Sequence, residues 1–247
     1  MSMICTIGNR ACTVHDVALK LIDPLNPLDL PQYTMRLWYK TGVIPTFDYG
    51  TGVQLSEDPN IWDLTYEGTN WSVMFFSSRW DLLEVLGANT TGVTLMQNMF
   101  YECTSLRNVV LFDTSTVTET SNMFTECTHL TTVPLFDLSN VTNALQMFKS
   151  CYALTSVPLF DLSKVTNAGG MFKSCSLTNI PYFNLQSVRN VKEMFDGNSY
   201  VNNGILAMYQ QLSALANIYN HESTFRNCGV NTTQGAAELA QIPDDWK

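Results

Sequence analysis

The chain is short of charge, above all of positive charge: 13 Lys and Arg stand against 22 Asp and Glu, the formal net charge is -9, and charged residues make up only 14% of 247 positions. A nucleic-acid footprint needs a basic stripe to neutralise phosphates, so DNA and RNA are excluded as partners. An anionic membrane surface is disfavoured on the same ground. Long apolar runs are missing too. No stretch of about 20 apolar residues offers a membrane span, and Met1 to Leu21 is interrupted by Arg10, His15, Asp16 and Lys20, which a secretory signal would not be. The expectation is a protein synthesised in a cytoplasm, without membrane insertion. Histidine is scarce: His15, His129 and His221 lie far apart and follow no metal spacing. Gly-x-Ser-x-Gly, His-Glu-x-x-His, phosphate-loop and paired Cys-x-x-Cys patterns are absent. No catalytic, cofactor-binding or metal residue is therefore assigned, and a non-enzymatic protein is expected.

What the chain has instead is a repeat. Met-Phe recurs at Met99-Phe100, Met123-Phe124, Met147-Phe148, Met171-Phe172 and Met194-Phe195, at a spacing of 24 residues whose last step is one short. A cysteine follows the first four pairs (Cys103, Cys127, Cys151, Cys175), then a leucine (Leu106, Leu130, Leu154, Leu177), a Val or Ile (Val109, Val133, Val157, Ile180) and a Phe-Asx pair. Such a period means stacked units sharing one continuous core. A degenerate first copy starts at Phe75, with Leu82 and Val85 under Leu106 and Val109 and with Arg79 at the cysteine position, its stem on the apolar layer and its head reaching water. Stacked rungs lie about 4.8 Å apart with parallel side chains, whereas a disulfide wants β-carbons about 3.8 Å apart and facing each other. The four aligned cysteines read as buried free thiols.

Within a unit, Leu130 to Leu135 suits a short strand, kept short by Pro134, Pro158 and Pro181, which lack an amide hydrogen. The Asx column Asn89, Asp113, Asp137, Asp161 and Asn184 mixes acids with neutral amides, so it reads as a turn cap rather than a metal site. Next comes a hydroxyl column, Thr91, Ser115, Ser139, Ser163 and Ser187, in the place of a helix N-cap. Val141, Leu145, Phe148 and Cys151 then follow at spacings of 4, 3 and 3, one face of a short helix. The fold class expected is an α/β repeat solenoid: a leucine-rich-repeat-like stack of short parallel strands and short helices, with a β-rich N-terminal cap and a helical C-terminal cap. Its parts would be an arm over 1–30, a cap over 31–74 with a strand from Tyr33 to Lys40, the repeats over 75–202, and a capping region over 203–247 with helices from Ile205 to Ile218 and from Gly235 to Gln241.

Two surfaces stand out as contact sites. Between the buried positions of each strand the outward pairs are Arg107-Asn108, Thr131-Thr132, Thr155-Ser156 and Thr178-Asn179, which stack into columns of hydroxyl and amide groups suited to a polar polymer or a protein. Plain solvation of a sheet face is the alternative reading. The aromatic N-terminal region, with Trp38, Tyr39, Trp62 and Trp71, is the rival as an assembly surface.

The phrase Met-Phe-x-x-Cys-x-x-Leu-x-x-Val-Pro-Leu-Phe-Asp-x-Ser-x-Val-Thr resembles the BspA-like leucine-rich-repeat family, in the branch of Mycoplasma-lipoprotein-type repeats found in gut bacteria and their phages. The chain's ending, from Leu206 through Tyr209-Gln210-Gln211 to Ile242-Pro243, is similar to phage or prophage members. The resemblance implies surface attachment or virion structure. It leads to the expectation of a phage virion structural protein, such as a fibre, tip or head decoration. The alternative is a bacterial surface adhesin or interaction module. The expected partners are further copies of the chain, with a trimer favoured, other virion proteins, and a host-surface glycan or protein.

Overall fold

A computed structural model of the chain describes residues 6–7, 10–11, 30–47, 50–56, 58–66, 68–72 and 79–247. Strands β1 (Thr6–Ile7) and β2 (Arg10–Ala11) pair antiparallel; the rest of the expected arm, up to Asp29, lies outside the described residues.

The main sheet has five strands: β3 (Thr34–Tyr39), β4 (Thr51–Gln54), β5 (Ile61–Thr65), β6 (Leu82–Asn89) and β7 (Asn108–Val109), in the order β4-β5-β3-β6-β7. Strand β3 forms because its apolar residues alternate: Met35, Leu37 and Tyr39 are fully buried while Arg36 and Trp38 face the half-covered side. Register is held by Arg36, which sits opposite Asp63 on β5 and pairs with both carboxylate oxygens at 2.6 and 2.7 Å. Strand β6 is antiparallel to β3 on one edge and parallel to β7 on the other. It carries Leu82 and Val85 of the degenerate first repeat, so the aromatic region and the repeats are continuous through one strand.

This architecture overturns the expected α/β leucine-rich-repeat-like solenoid. The regular structure is a mixed five-stranded sheet, and among the described residues the α helices are two short ones, α1 (Ile205–Ser213) and α2 (Thr233–Leu239), both beyond the repeats. No helix forms between a hydroxyl and its Met-Phe pair. The reason lies in where the amide hydrogens go. An α-helical amide donates to the carbonyl four residues back; here alternate amides leave the segment altogether. Asn122, Phe124 and Glu126 donate to Leu145, Met147 and Lys149 of the following repeat at 2.9, 2.8 and 2.8 Å, while Met123, Thr125 and Cys127 close three-residue turns onto Thr120, Asn122 and Phe124. The alternation requires a left-handed residue on either side of each Met-Phe pair: Asn98 and Glu102, Asn122 and Glu126, Gln146 and Ser150, Gly170 and Ser174, and Glu193 and Gly197 all have positive φ. Gly170, half of a Gly169-Gly170 pair, is the residue for which that conformation carries no side-chain cost.

The expected strand in every repeat is corrected as well, for a covalent reason. In the first full repeat the amide of Val110 donates to Val85 across to β6. The corresponding residues later are Pro134, Pro158 and Pro181, which have no hydrogen to give, and their carbonyls instead accept from Phe136, Phe160 and Phe183 two residues on. Parallel pairing thins to single bridges, of which one column runs Leu95, Glu119, Asn143, Asn167, Asn190, Asn220. At the far end, α1 stops at Ser213, short of Ile218, and the helical cap is replaced by ring packing: Trp246 stacks on His221 at 4.2 Å and meets Tyr209 edge-on at 5.4 Å.

The core follows the repeat. The rings of Phe100, Phe124, Phe148, Phe172, Phe195 and Phe225 stack in one column with centroids 5.2 to 5.9 Å apart. Phe112, Phe136, Phe160 and Phe183 form a second buried column beside it. Each buried ring contributes about 2–3 kcal/mol by transfer from water and each favourable ring pair about 0.5–1.5 kcal/mol more. Phe148 contacts a ring on both sides, so Phe148→Ala should lower the unfolding free energy by about 3–5 kcal/mol; a denaturant titration that finds less than 1 kcal/mol would contradict the stacked core.

Candidate functional site

The polar columns divide into those spent on the backbone and those left free. Asp113, Asp137 and Asp161 each accept from the amide two residues on, Ser115, Ser139 and Ser163, at 2.9 to 3.0 Å, and Asn89 and Asn184 make the same turn at 3.4 Å. The Asx column thus caps turns, and the hydroxyl column, instead of a helix N-cap, supplies the amide that is capped in every repeat but the last, where Gln186 supplies it. A second capping column, Glu119, Asn143, Asn167 and Asn190, escaped the sequence reading. Its side chains also bond to each other, Asn143 to Glu119 at 3.0 Å and Asn190 to Asn167 at 2.9 Å. The signal for it was the Val-Thr-Asn triplet repeated at Val141 and Val165.

Of the outward pairs, Arg107, Thr131, Thr132, Thr155, Ser156, Thr178 and Asn179 are exposed, and Asn108 is half-buried in β7. Part of this face is engaged: the Thr131 hydroxyl donates to the Arg107 carbonyl at 3.4 Å and the Thr178 hydroxyl to the Thr155 carbonyl at 3.3 Å. The aromatic region separates into two classes. Tyr39 and Trp71 are fully buried core residues and cannot present an assembly surface, and Trp71 donates its indole N–H to the Gly68 carbonyl at 3.0 Å. Trp38 and Trp62 are half-buried, packed on Ile61 and Leu86 and on the main core respectively. Arg79 is likewise inward, paired with Glu102 at 2.9 Å rather than reaching water.

The feature the sequence reading missed is an apolar column on the outside. Leu111, Leu135, Leu159 and Tyr182 are 48, 59, 62 and 66% exposed, one per repeat. Each directly precedes a buried phenylalanine, and in the last three repeats a tight turn, in which the phenylalanine amide donates to the proline carbonyl two residues back, leaves the residue between them outward. Between these leucines run shallow grooves, one lined by Leu111, Phe112, Asp113, Leu135 and Asp137 and the next by Leu135, Phe136, Asp137, Leu138 and Asp161. Asp161 is held below the usual carboxylate range by hydrogen bonds from the Ser163 hydroxyl and amide. In the two middle repeats the outer edge therefore reads hydroxyl pair, leucine, carboxylate (Thr131-Thr132, Leu135, Asp137 and Thr155-Ser156, Leu159, Asp161), an amphipathic strip that the outer repeats keep with Arg107-Asn108 in place of the hydroxyls at one end and Tyr182 and Asn184 in place of leucine and carboxylate at the other.

A family model described as "Mycoplasma protein of unknown function, DUF285" matches residues 69–181 and again 153–230. No curated protein and no solved structure matches the chain. The matched span takes in the repeats and runs from just ahead of the degenerate copy at Phe75 to just past Phe225 and Cys228, which keep the Phe-x-x-Cys spacing of the repeat.

The thiols complete the interior of that array. Cys103, Cys127, Cys151, Cys175 and Cys228 are free and buried. The Sγ atoms of Cys127, Cys151 and Cys175 donate to the carbonyls of Phe100, Phe124 and Phe148 at 3.1 to 3.2 Å. Burial pushes the Cys175 thiol up to about 12 and raises the others strongly, and this outweighs the lowering effect of nearby Arg79 on Cys103. A thiolate is the reactive form, so these five thiols should resist alkylation by iodoacetamide at pH 8 in the native protein and react once it is unfolded. Peptide mapping by mass spectrometry checks this, and native labelling at any of the five would contradict the buried column.

Proposed function

Because the chain belongs to this Mycoplasma-type repeat family, we propose that it is a non-enzymatic binding protein whose array holds an extended protein partner along the Leu111, Leu135, Leu159 and Tyr182 column. The observation that carries the reading is the exposure of four large apolar side chains in register, where a repeat stabilised only for its own sake would place polar ones. Contiguous exposed apolar surface is the usual mark of a partner site. The carboxylates of Asp113, Asp137 and Asp161 beside it favour a partner whose apolar residues alternate with Lys or Arg. The hydroxyl and amide columns from Arg107 to Asn179 form its polar rim. Conversely, the Asx-column side chains from Asn89 to Asn184 and the thiols of Cys127, Cys151 and Cys175 are bonded to backbone groups, which supports a scaffold role.

The narrower form of the reading places the protein on a phage particle or a bacterial surface, in contact with other virion proteins or with a host-surface glycan or protein. Its support is the resemblance of the chain's ending, and co-purification with particles tests it. A homo-oligomer, with a trimer favoured, belongs to the same narrower reading. Light scattering should then give a small multiple of 27.7 kDa, and a monomer at high concentration removes that element.

The broader reading is tested with a labelled peptide of alternating Leu and Lys, followed by fluorescence anisotropy. Leu135→Asp combined with Leu159→Asp should weaken binding about tenfold or more, since two apolar contacts are lost. Stability should stay within about 0.5 kcal/mol because both sites are exposed. Equal binding by the variant, or by a peptide of the same composition with its leucines and lysines in separate blocks, would sink the apolar column as the site.

A further inference from the structure

One column of the array changes character where it nears the end. Thr94, Thr118, Thr142 and Thr166 occupy equivalent positions, and the hydroxyls of the last three donate to the carbonyl of the preceding member. The next two members of the column are Arg189 and Tyr219: the Arg189 amide donates to Thr166 and the Tyr219 amide to Arg189, both at 2.9 Å. Arg189 and Tyr219 are exposed, the latter by 73%. This departure coincides with a groove lined by Lys164, Thr166, Gln186, Ser187, Arg189 and Asn217. The lining holds two cations and no carboxylate, on a chain whose net charge is -9. Lys164 is anchored by donating to the Asn140 side-chain oxygen at 2.7 Å, so its charge is held at the rim.

We propose that this groove binds an anionic saccharide. The planar guanidinium of Arg189 offers a fork that fits a carboxylate or a sulfate ester, with Lys164 as a second charge. Gln186, Asn217, Ser187 and Thr166 supply both donors and acceptors, the mixture that vicinal sugar hydroxyls require. Tyr219, two residues past Asn217 and next in the column after Arg189, offers an exposed ring for the apolar face of a pyranose. A polyanion such as nucleic acid is disfavoured by the surrounding negative field, whereas a saccharide carrying one acidic group pays little for it. The site lies apart from the leucine column, and none of its lining residues belongs to that face.

The test is titration of the full chain with sialyllactose, sulfated lactose and lactose, followed by isothermal calorimetry or ligand-observed NMR. Tighter binding of either acidic sugar than of lactose, by about tenfold, the equivalent of one well-placed charged contact, supports the proposal, and the better of the two identifies carboxylate or sulfate as the group read. Arg189→Thr restores the residue the column has elsewhere, so the fold is retained, and it should abolish the preference for acid. The doubly substituted Leu135→Asp, Leu159→Asp protein should bind the sugar like the unaltered chain, which separates this site from the protein-binding face. Equal affinity for lactose and both acids, undetectable binding of all three, or an Arg189→Thr protein that keeps the preference would overturn the proposal.

Discussion

The structure depends on one arrangement of the peptide bond: around each Met-Phe pair, every second amide hydrogen points along the stack and is accepted by the next repeat. A buried backbone N–H without a partner costs about 1–3 kcal/mol, so no single repeat can adopt this conformation without the next one above it. The left-handed residues flanking Met-Phe cost about 1–2 kcal/mol each when they are not glycine. That strain persists because the neighbouring repeat supplies the acceptors. At the end of the array the duty passes to the C-terminus, where the Phe225 amide donates to the carbonyl of Trp246.

From the same constraint follow the ring columns and the side-chain ladders. Once the backbones are tied at fixed spacing, identical residues lie directly over one another, and Phe stacks on Phe within 5.9 Å. Asn bonds to Asn, and Thr to the carbonyl of the Thr position before it. The ion pairs near the end reinforce the last joint: Asp196, nearly buried, receives both Arg226 at 2.6 Å and Lys173 at 3.4 Å, and so ties the last full repeat to its neighbours on either side.

The period, the burial of Met-Phe and Cys, and the turn-capping role of the Asx column were legible because each depends on residue type alone. Replacing Asp by Asn across repeats rules out a charge requirement, and that inference needs no coordinates. The helix was misread for an equally specific reason. Spacings of 4, 3 and 3 at Val141, Leu145, Phe148 and Cys151 suit a helix, yet the buried set is Val141, Ala144, Met147, Phe148, Ser150 and Cys151, with Leu145 only half-covered. A three-residue turn and an α-helical turn leave nearly the same apolar signature over so short a length; they differ in the destination of the amide hydrogens, which leaves no mark on side-chain identity.

The exposed leucines were hidden by a similar ambiguity, since Leu135 belongs to the same class as the Leu130 and Val133 that are buried, and only the position of Phe136 reveals which way it must face. Arg189 and Tyr219 could be seen as departures from a threonine column only after the column had been aligned in space, because the last repeats are irregular in length. The sequence by itself determined that this chain is a repeat with a shared apolar interior, free thiols and capped turns, since burial and capping are properties of individual side chains. Tertiary structure alone decided that the repeat is turn rather than helix, that the cap and array share one mixed sheet through β6, and which apolar and cationic groups reach the surface. Those outcomes depend on hydrogen bonds between residues about 24 positions apart, and a backbone partner at that distance is chosen by packing, not by the identity of the residue that bonds to it.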